Sequence, residues 1–334
     1  MLFRSVSESF EQKDKASESS DMFAWLLEEP ETKQLEDHYE LRGVIGRGGY
    51  ADIWVAKDLA SKRTVAVKSL HEDKIADTQA RNAFVQEARI MMYLQHPGIV
   101  PVYDFFQDSR GCLHIVMKLV LGRTLNELLD QIHEEYKGKS EKQLEPLETK
   151  QLRDRLEIFL KVCDMVAYAH EKRILHRDLK PSNIMLGKQD DVYVMDWGIA
   201  EPHASEEPLQ APEETSGTVC YLAPEIMRRK KYDERSDVYS LGLVLFDLVY
   251  LHTAFTELKT DKEVCFYAIR GKTSHRRHDY GYRVSDWLRR TIDYAIYPDP
   301  DRRTPSVAVM MEQIRRGMAK DASFLGRLKR FIGL

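Results

Sequence analysis

The stretch His176-Arg177-Asp178-Leu179-Lys180-Pro181-Ser182-Asn183 gathers a carboxylate, an ammonium and a side-chain amide. Asp196-Trp197-Gly198 follows directly after the apolar run Val192-Tyr193-Val194-Met195, and Ala223-Pro224-Glu225 closes a polar stretch. Well ahead of these, Lys68 ends the alternation Val65-Ala66-Val67-Lys68, and Glu87 stands in the next segment, where it could pair with that lysine. Transfer of a phosphoryl group needs a cation on the phosphates, oxygens holding Mg²⁺ and a carboxylate near the incoming hydroxyl. The sequence supplies these groups in order. A lysine at a strand end is ordinarily a solvated charge, and any one triplet could be chance. The whole series in this order is very hard to explain as structural coincidence.

Gly46-Arg47-Gly48-Gly49-Tyr50-Ala51 adds a glycine-rich turn, in which backbone N–H groups can approach phosphate oxygens without a Cβ in the way. Alone it is compatible with a hairpin that binds nothing, a dinucleotide fingerprint or a phosphate flap. The dinucleotide reading needs a helix straight after the glycines, whereas the strand-like ADIWVAKD follows. No GxxxxGK[ST] occurs, so a P-loop NTPase is unsupported. The plain hairpin stays open at this point.

The elements that must carry these groups fall into two blocks. From Tyr39 to Val120 the pattern is mostly strand-like: YELRGVIG, ADIWVAKD, RTVAVKSL, VPVYDFFQD and CLHIVMKLV, with one helix over Asp77–Leu94 whose Phe84, Ala88, Met91 and Met92 share a side. After Val120 the chain reads mainly helical, over Thr124–His133, Thr149–Glu171, Ser236–Tyr250 and on to about Arg316. Short strands are expected at Asn183–Leu186 and Val192–Met195, and a polar surface insertion at Glu134–Glu148. Residues 1–38 read as a largely disordered tail.

The formal net charge of −4 gives no global basic field for nucleic acid. Cys112, Cys163, Cys220 and Cys265 lack metal-ligand or disulfide-scaffold spacing and fit a reducing compartment. The N-terminus has no continuous apolar core of a signal peptide, and the longest apolar-rich stretch, Tyr239–Leu251, is interrupted by Asp247. A soluble cytoplasmic enzyme is the expectation.

On these motifs the chain resembles the eukaryotic-like (Hanks-type) protein serine/threonine kinase family over roughly residues 39–316, and within it the bacterial members. Asp196-Trp197-Gly198, FVQEARIMMYLQHPGIVPVYDF and HRDLKPSNIMLG carry that likeness. The resemblance implies an α+β, bilobal fold: a small antiparallel β-rich N-lobe with one regulatory helix (39–117), a hinge (118–122) and a larger α-rich C-lobe (123–316), followed by a basic amphipathic tail (317–334). It implies transfer of the γ-phosphoryl of ATP, with Mg²⁺ or Mn²⁺, to Ser/Thr hydroxyls of protein substrates and of the chain itself.

By the same resemblance, Gly46, Gly48 and Tyr50 form the flap over ATP. Lys68 contacts the phosphates and is positioned by Glu87. Asp178 receives or orients the hydroxyl, Lys180 neutralises the transferred group, and Asn183 and Asp196 hold the metal. Ile53, Ala66, Met117 and Met185 line the adenine slot, with Leu119 and Val120 offering backbone hydrogen bonds. Glu225 pairs with Arg303, and Asp237 ties down the catalytic loop. Two departures stand out. Ala51 replaces the third glycine of the flap, and Trp197 replaces the usual phenylalanine; the larger ring should resist flipping outward. Ser182 and Thr124 occupy places where acidic residues would select arginine upstream of the phosphosite, so no basic-motif substrate is expected. Lys180 with Pro181 resembles serine/threonine rather than tyrosine kinases.

In the family an arginine at the place of Arg177 commonly binds a phosphate on the activation loop. Thr215, Ser216 and Thr218 are the hydroxyls in reach by sequence, and Glu206, Glu207, Glu213 and Glu214 are carboxylates that could substitute. Residues 321–334 place Phe324, Leu325, Leu328, Phe331 and Ile332 at helical spacing among Arg327, Lys329 and Arg330, a pattern suited to weak contact with an anionic membrane surface or a partner.

Overall fold

The computed structural model describes residues 30–136, 145–188, 190–203, 209–210, 219–256, 258–273 and 284–332. They form two compact units. One comprises the described residues of 1–93, 101–119 and 202–208; the other comprises those of 94–100, 120–201 and 209–334.

The first unit is built on a six-stranded sheet: β1 (Glu31–Thr32), β2 (Tyr39–Arg47), β3 (Ala51–Asp58), β4 (Thr64–Leu70), β5 (Val102–Gln107) and β6 (Leu113–Lys118), in the order β1-β5-β6-β4-β3-β2. All neighbours are antiparallel except β1 and β5, where Glu31 pairs with Phe106 and Thr32 with Gln107. Side chains alternate across a strand, so β4 sends Val65 and Val67 to one face with Phe106 and Val116. Leu70 goes to the other face with Phe105 and Ile115, where it meets Phe84 and Ala88 of helix α2 (Thr78–Tyr93). Lys68 shares the parity of Leu70.

Residues 30–38 belong to this unit, which corrects the expectation of a tail up to 38. β1 joins the sheet, and a single turn, α1 (Leu35–His38), buries Leu35 against Tyr39 and Phe106. Residues 1–29 of the expected tail lie outside the described residues. Met92 does not share the buried side of α2; it is 45 % exposed. Residues 94–100 join the second unit rather than the first.

The second unit contains β7 (Gly122–Thr124), α3 (Leu125–Tyr136), α4 (Glu145–Glu171), β8 (Ile174–Leu175), β9 (Ile184–Gly187), β10 (Val192–Val194), α5 (Pro224–Met227), α6 (Arg235–Tyr250), α7 (Asp261–Ile269), α8 (Asp286–Ala295) and α9 (Val307–Ile332). β10, β9 and β7 make a small antiparallel sheet. The predicted insertion shrinks: residues 134–136 extend α3 and 145–148 start α4, leaving 137–144 outside the described residues. α9 runs unbroken through the expected boundary at 316, with Gly317 in its middle where it passes Trp287. Trp287 Nε1 donates to Asp321 Oδ2 at 2.9 Å, fastening α9 to α8.

α6 is buried along its whole length from Ser236 to Tyr250, as a helix apolar on all sides must be. α8 crosses it so closely that a Cβ on Gly242 would lie 2.7 Å from Ile296 Cγ2 and 2.8 Å from Ala295 Cβ. Gly242→Ala is therefore expected to lower stability by about 1–3 kcal/mol through overpacking, read as a lower midpoint in thermal denaturation.

Candidate active site

In the first unit, the alternation of β4 puts the ammonium of Lys68 on the helix-facing side of the sheet. There Nζ meets both carboxylate oxygens of Glu87 at 2.6 Å. The carboxylate is nearly buried, with 7 % side-chain exposure against 19 % for Lys68, so the pair is screened little by solvent. Register places Ile53 opposite Lys68 and Ala66 opposite Met117, so three of the four residues assigned to the adenine slot lie on adjacent strands. Gly46 lies near the end of β2 opposite Ile53 and Gly48 opens the β2–β3 turn, whose residue Tyr50 is 61 % exposed. Leu119 ends the described residues of this unit on that side, and Val120 belongs to the second.

In the second unit the loop after β8 folds on itself. Lys180 Nζ donates to Asp178 Oδ2 at 2.7 Å. Asn183 Nδ2 donates to the same oxygen at 2.9 Å and to the Asp178 carbonyl at 2.8 Å. Asn183 thus spends its amide N–H groups on Asp178 and leaves its carbonyl oxygen as an acceptor. The Met195 N–H donates to the Asn183 backbone carbonyl at 2.8 Å, which sets Asp196 beside this loop. Asp196 is exposed and left-handed, with φ 59°. Two hard oxygen donors of this kind fit a small divalent cation such as Mg²⁺ or Mn²⁺. Met185, on β9, pairs with Thr124 on one side and Tyr193 on the other.

Asp237 holds the loop from beneath. Its Oδ2 accepts from the His176 N–H and from His170 Nε2 at 2.9 and 2.8 Å, and its Oδ1 accepts from the Arg177 N–H at 2.9 Å. Burial pushes its pKa up, but the His170 hydrogen bond and charge and the His176 backbone N–H more than offset this, so the carboxyl titrates below the usual aspartate value. Arg177 sits at φ 69°, a left-handed conformation that a non-glycine residue keeps only when its surroundings fix it.

His176 accepts the Asp178 N–H on Nδ1 at 3.2 Å and bonds the Met195 carbonyl through Nε2 at 3.1 Å, which requires the neutral Nε2–H tautomer. Burial holds its pKa below the ordinary histidine value. The ring also packs against Trp197, with centroids 4.5 Å apart and the ring planes tilted by 53°. Trp197 is fully buried, and its indole N–H donates to the Val194 carbonyl at 3.3 Å.

Arg177 Nη1 pairs with Glu201 Oε2, which also accepts the Tyr232 hydroxyl, and the guanidinium lies 5.4 Å from the Tyr232 ring centroid. Glu201 is none of the four carboxylates expected as partners of Arg177. Glu206, Glu207, Glu213 and Glu214, with Thr215, Ser216 and Thr218, lie outside the described residues. Sequence reasoning missed Glu201, Tyr232 and His170. His170, at the end of α4, had the nearest thing to a signal; Glu201 had none.

Farther along, Arg303 makes a bidentate pair with Glu225 at 2.7 and 2.8 Å and bonds the Arg235 carbonyl at 2.6 Å. Both charges are buried, and Ser236 Oγ completes the carboxylate at 2.7 Å. One cluster elsewhere, Asp108, Cys112 and His114, brings ligand-type atoms within 4.8 Å of one another. It is explained by hydrogen bonding: Asp108 accepts from Arg110 and the Cys112 N–H, and burial pushes the Cys112 thiol up to about 11.

The protein kinase domain family model matches residues 39–314. A serine/threonine-protein kinase PknD of Chlamydia trachomatis serovar L2b is 36 % identical over 245 residues, covering 67 % of this chain and 26 % of that protein. PknD of Protochlamydia amoebophila is 33 % identical over 235 residues, covering 66 % and 24 %, and PknD of Chlamydia pneumoniae is 30 % identical over 295, covering 83 % and 31 %. The chain spans about a quarter to a third of the length of these relatives.

A neutral His176 is required by the geometry, so protonation must weaken the fold. Its lowered folded pKa means that the stabilisation is fully present above the unfolded value near 6.5 and is lost as pH falls below it. Denaturant titrations at pH 7.5 and 5.5 should show the lower unfolding free energy at pH 5.5.

Proposed function

This chain belongs to the protein kinase domain family, and on that premise we propose that it transfers the γ-phosphoryl group of Mg-ATP to serine and threonine hydroxyls of proteins, itself included. The observation that carries this reading is the knot of Asp178, Lys180 and Asn183, in which one carboxylate oxygen takes both an ammonium and an amide. Such an arrangement orients a carboxylate toward a hydroxyl while keeping a cation beside it, the two needs of phosphoryl transfer on the acceptor side.

In this reading Lys68, steadied by Glu87, holds the α- and β-phosphates. Asp178 accepts or orients the hydroxyl proton of the substrate, and Lys180 compensates charge on the group in transit. The side-chain oxygens of Asn183 and Asp196 would hold the metal, which when bound neutralises the phosphates. Ile53, Ala66, Met117 and Met185 contribute apolar surface to the purine, and Leu119 and Val120 contribute backbone hydrogen bonds. Gly46, Gly48 and Tyr50 cover the phosphates. The Trp197 N–H bond to Val194 supports a turn that keeps Asp196 in its working orientation.

Purified protein incubated with ATP and Mg²⁺ should label Ser or Thr residues mapped by mass spectrometry. Asp178→Asn should slow transfer by roughly 10²–10⁴-fold. Lys68→Met should slow transfer as well, while the fold, read by circular dichroism, is kept. Absence of any transfer by the parent protein sinks the reading.

Regulation follows from Arg177. Its charge is already paired with Glu201, so a phosphate on Thr215, Ser216 or Thr218 is not needed to neutralise it. Arg177 Nε is buried without an acceptor among the described residues, so a phosphate would strengthen this anchor rather than create it. Phosphatase-treated protein should retain most of its transfer rate. Glu201→Gln should lose roughly tenfold, the size of one charge-assisted hydrogen bond. Complete silence after dephosphorylation would contradict this.

Among the described residues no helix is long and apolar enough to cross a membrane. Surface contact through residues 321–334 is the remaining membrane proposal. Flotation with anionic vesicles should carry the full chain and not a form ending at Met318.

A further inference from the structure

In the second unit a pocket of about 560 Å³ opens where the ends of α5 and α7 meet the turn that follows α8. None of the residues assigned to phosphoryl transfer lines it. Three arginines do: Arg228 just after α5, Arg270 just after α7, and Arg302 in the turn Pro300–Arg302. Ile269, Ile296 and Pro298 supply aliphatic wall between them. Asp293 and Asp299 share the lining, so the arginines leave one positive charge in excess. Neither carboxylate pairs with any of the three. Asp299 accepts the Asp301 N–H at 3.2 Å, at the start of its own turn, and Asp293 is engaged elsewhere in the fold.

Each guanidinium is held by neutral partners. Arg228 Nη2 donates to the Ile269 carbonyl at 2.8 Å, across the end of α7. Arg270 Nη1 donates to the Phe266 carbonyl at 3.2 Å, and its guanidinium lies 3.5 Å from the Phe266 ring centroid. The Arg302 guanidinium lies 4.5 Å from the Tyr297 ring centroid. Carbonyls and ring faces orient a guanidinium without cancelling its charge. Among the described residues none of the three arginines has an ion pair. The walls are fixed as well. Gly271 is left-handed at φ 64°, and a Cβ there would lie 2.8 Å from Pro298 Cγ. The end of α7 and the turn after α8 therefore meet as closely as glycine allows.

An exposed arginine is ordinarily a solvated charge. Three held around one recess repel one another, and an anion seated among them removes that repulsion. A phosphomonoester suits the recess better than a carboxylate. It carries about −1.5 to −2 charge near pH 7 on three terminal oxygens, which planar guanidinium forks match. Inorganic phosphate alone would leave Ile269, Ile296 and Pro298 wet. The recess takes a side chain and its neighbours rather than a flat membrane face. A chain of net charge −4 also lacks the basic field that nucleic acid needs. We propose that this pocket binds a phosphoserine or phosphothreonine in a linear segment of a protein partner. The phosphate lies on Arg228, Arg270 and Arg302, and an aliphatic neighbour in the segment covers Ile269, Ile296 and Pro298. The preset guanidiniums limit the ordering cost of binding. Nothing in this requires that the chain itself placed the phosphate.

The full chain is titrated, without nucleotide, with a fluorescein-labelled peptide carrying one phosphoserine between leucines, and with its unphosphorylated form. The phosphorylated peptide should bind about tenfold tighter or better, the size of one hydrogen bond to a charged group. Its affinity should fall as NaCl is raised. Inorganic phosphate should compete only far above the peptide's own Kd. Arg177 is a further guanidinium that a phosphate can reach, so substitutions in the pocket locate the binding. The double variant Arg270→Gln, Arg302→Gln should lose about tenfold or more in affinity while keeping the parent's thermal midpoint. The milder pair Arg270→Lys, Arg302→Lys keeps the charges and loses the forks. It should lose less in the same direction, which separates a lost site from a lost fold. Equal affinity for the two peptides, or unchanged affinity in the glutamine pair, overturns the proposal. So does displacement by inorganic phosphate at the peptide's own Kd, which would leave a site for the free ion only. Vesicles containing phosphatidylinositol phosphates that bind tighter than the peptide, and not to the glutamine pair, would overturn it in favour of a membrane. The readout is association alone, so its failure is distinct from a failure of phosphoryl transfer.

Discussion

Asp237 accepts two backbone N–H groups of the loop that carries Asp178, and it does so from the first turn of a helix with no solvent-facing side. A buried charge of this kind is tolerable only when hydrogen bonds replace the water it has lost. Here the backbone of His176 and Arg177 and the ring of His170 supply them. The exchange constrains both parties. The carboxylate stays ionised in the core, and Arg177 is held left-handed, which reverses the chain just ahead of Asp178. Lys180 and Asn183 can then converge on one oxygen because the loop that bears them has no freedom to open. Asp178 is placed by α6, through Asp237, as much as by its own sequence neighbours.

In the first unit the corresponding constraint is simpler. A two-residue period decides that Lys68 faces the helix side of the sheet with Leu70, and helix packing through Phe84 and Ala88 decides that Glu87 meets it. Nothing in this needs a special conformation. It needs a sheet whose two faces are filled by different sets of side chains, and the strands from Tyr39 to Lys118 encode that plainly.

That difference explains what could be read from the residues in advance. Strands and helices with strong periodicity were legible to within a few residues, and so were the pairings of Lys68 with Glu87 and of Glu225 with Arg303. Other partners that arrive from distant elements were not. Glu201 lies in a stretch with no periodic signal, and its pairing with Arg177 depends on where Tyr232 brings its hydroxyl. β1 was invisible because a two-residue parallel strand has no pattern of its own; it exists because β5 offers an open edge and Leu35 a place to bury. The stretch beyond Arg316 reads as a separate basic amphipathic tail and not as the second half of one long α9. Gly317 is there because Trp287 leaves no room for a side chain.

The charges of the second unit are settled in layers. Deepest are Arg303 and Glu225, both buried and fully hydrogen-bonded, where losing either partner would strand the other. Next is Asp237 with its imidazoles. Above it, Arg177 is neutralised by Glu201 and capped by an aromatic ring. Asp196 comes last, exposed, on a left-handed turn and with no ion pair among the described residues. The two deepest layers are closed by protein groups, and Arg177 is closed in part, with its Nε still without an acceptor among the described residues. A carboxylate left exposed at the end of such a series, on a turn fixed by Trp197, is available to a cation from solution. In the reading proposed above, this ordering, more than the identity of any one residue, is what suits the loop to binding external charge.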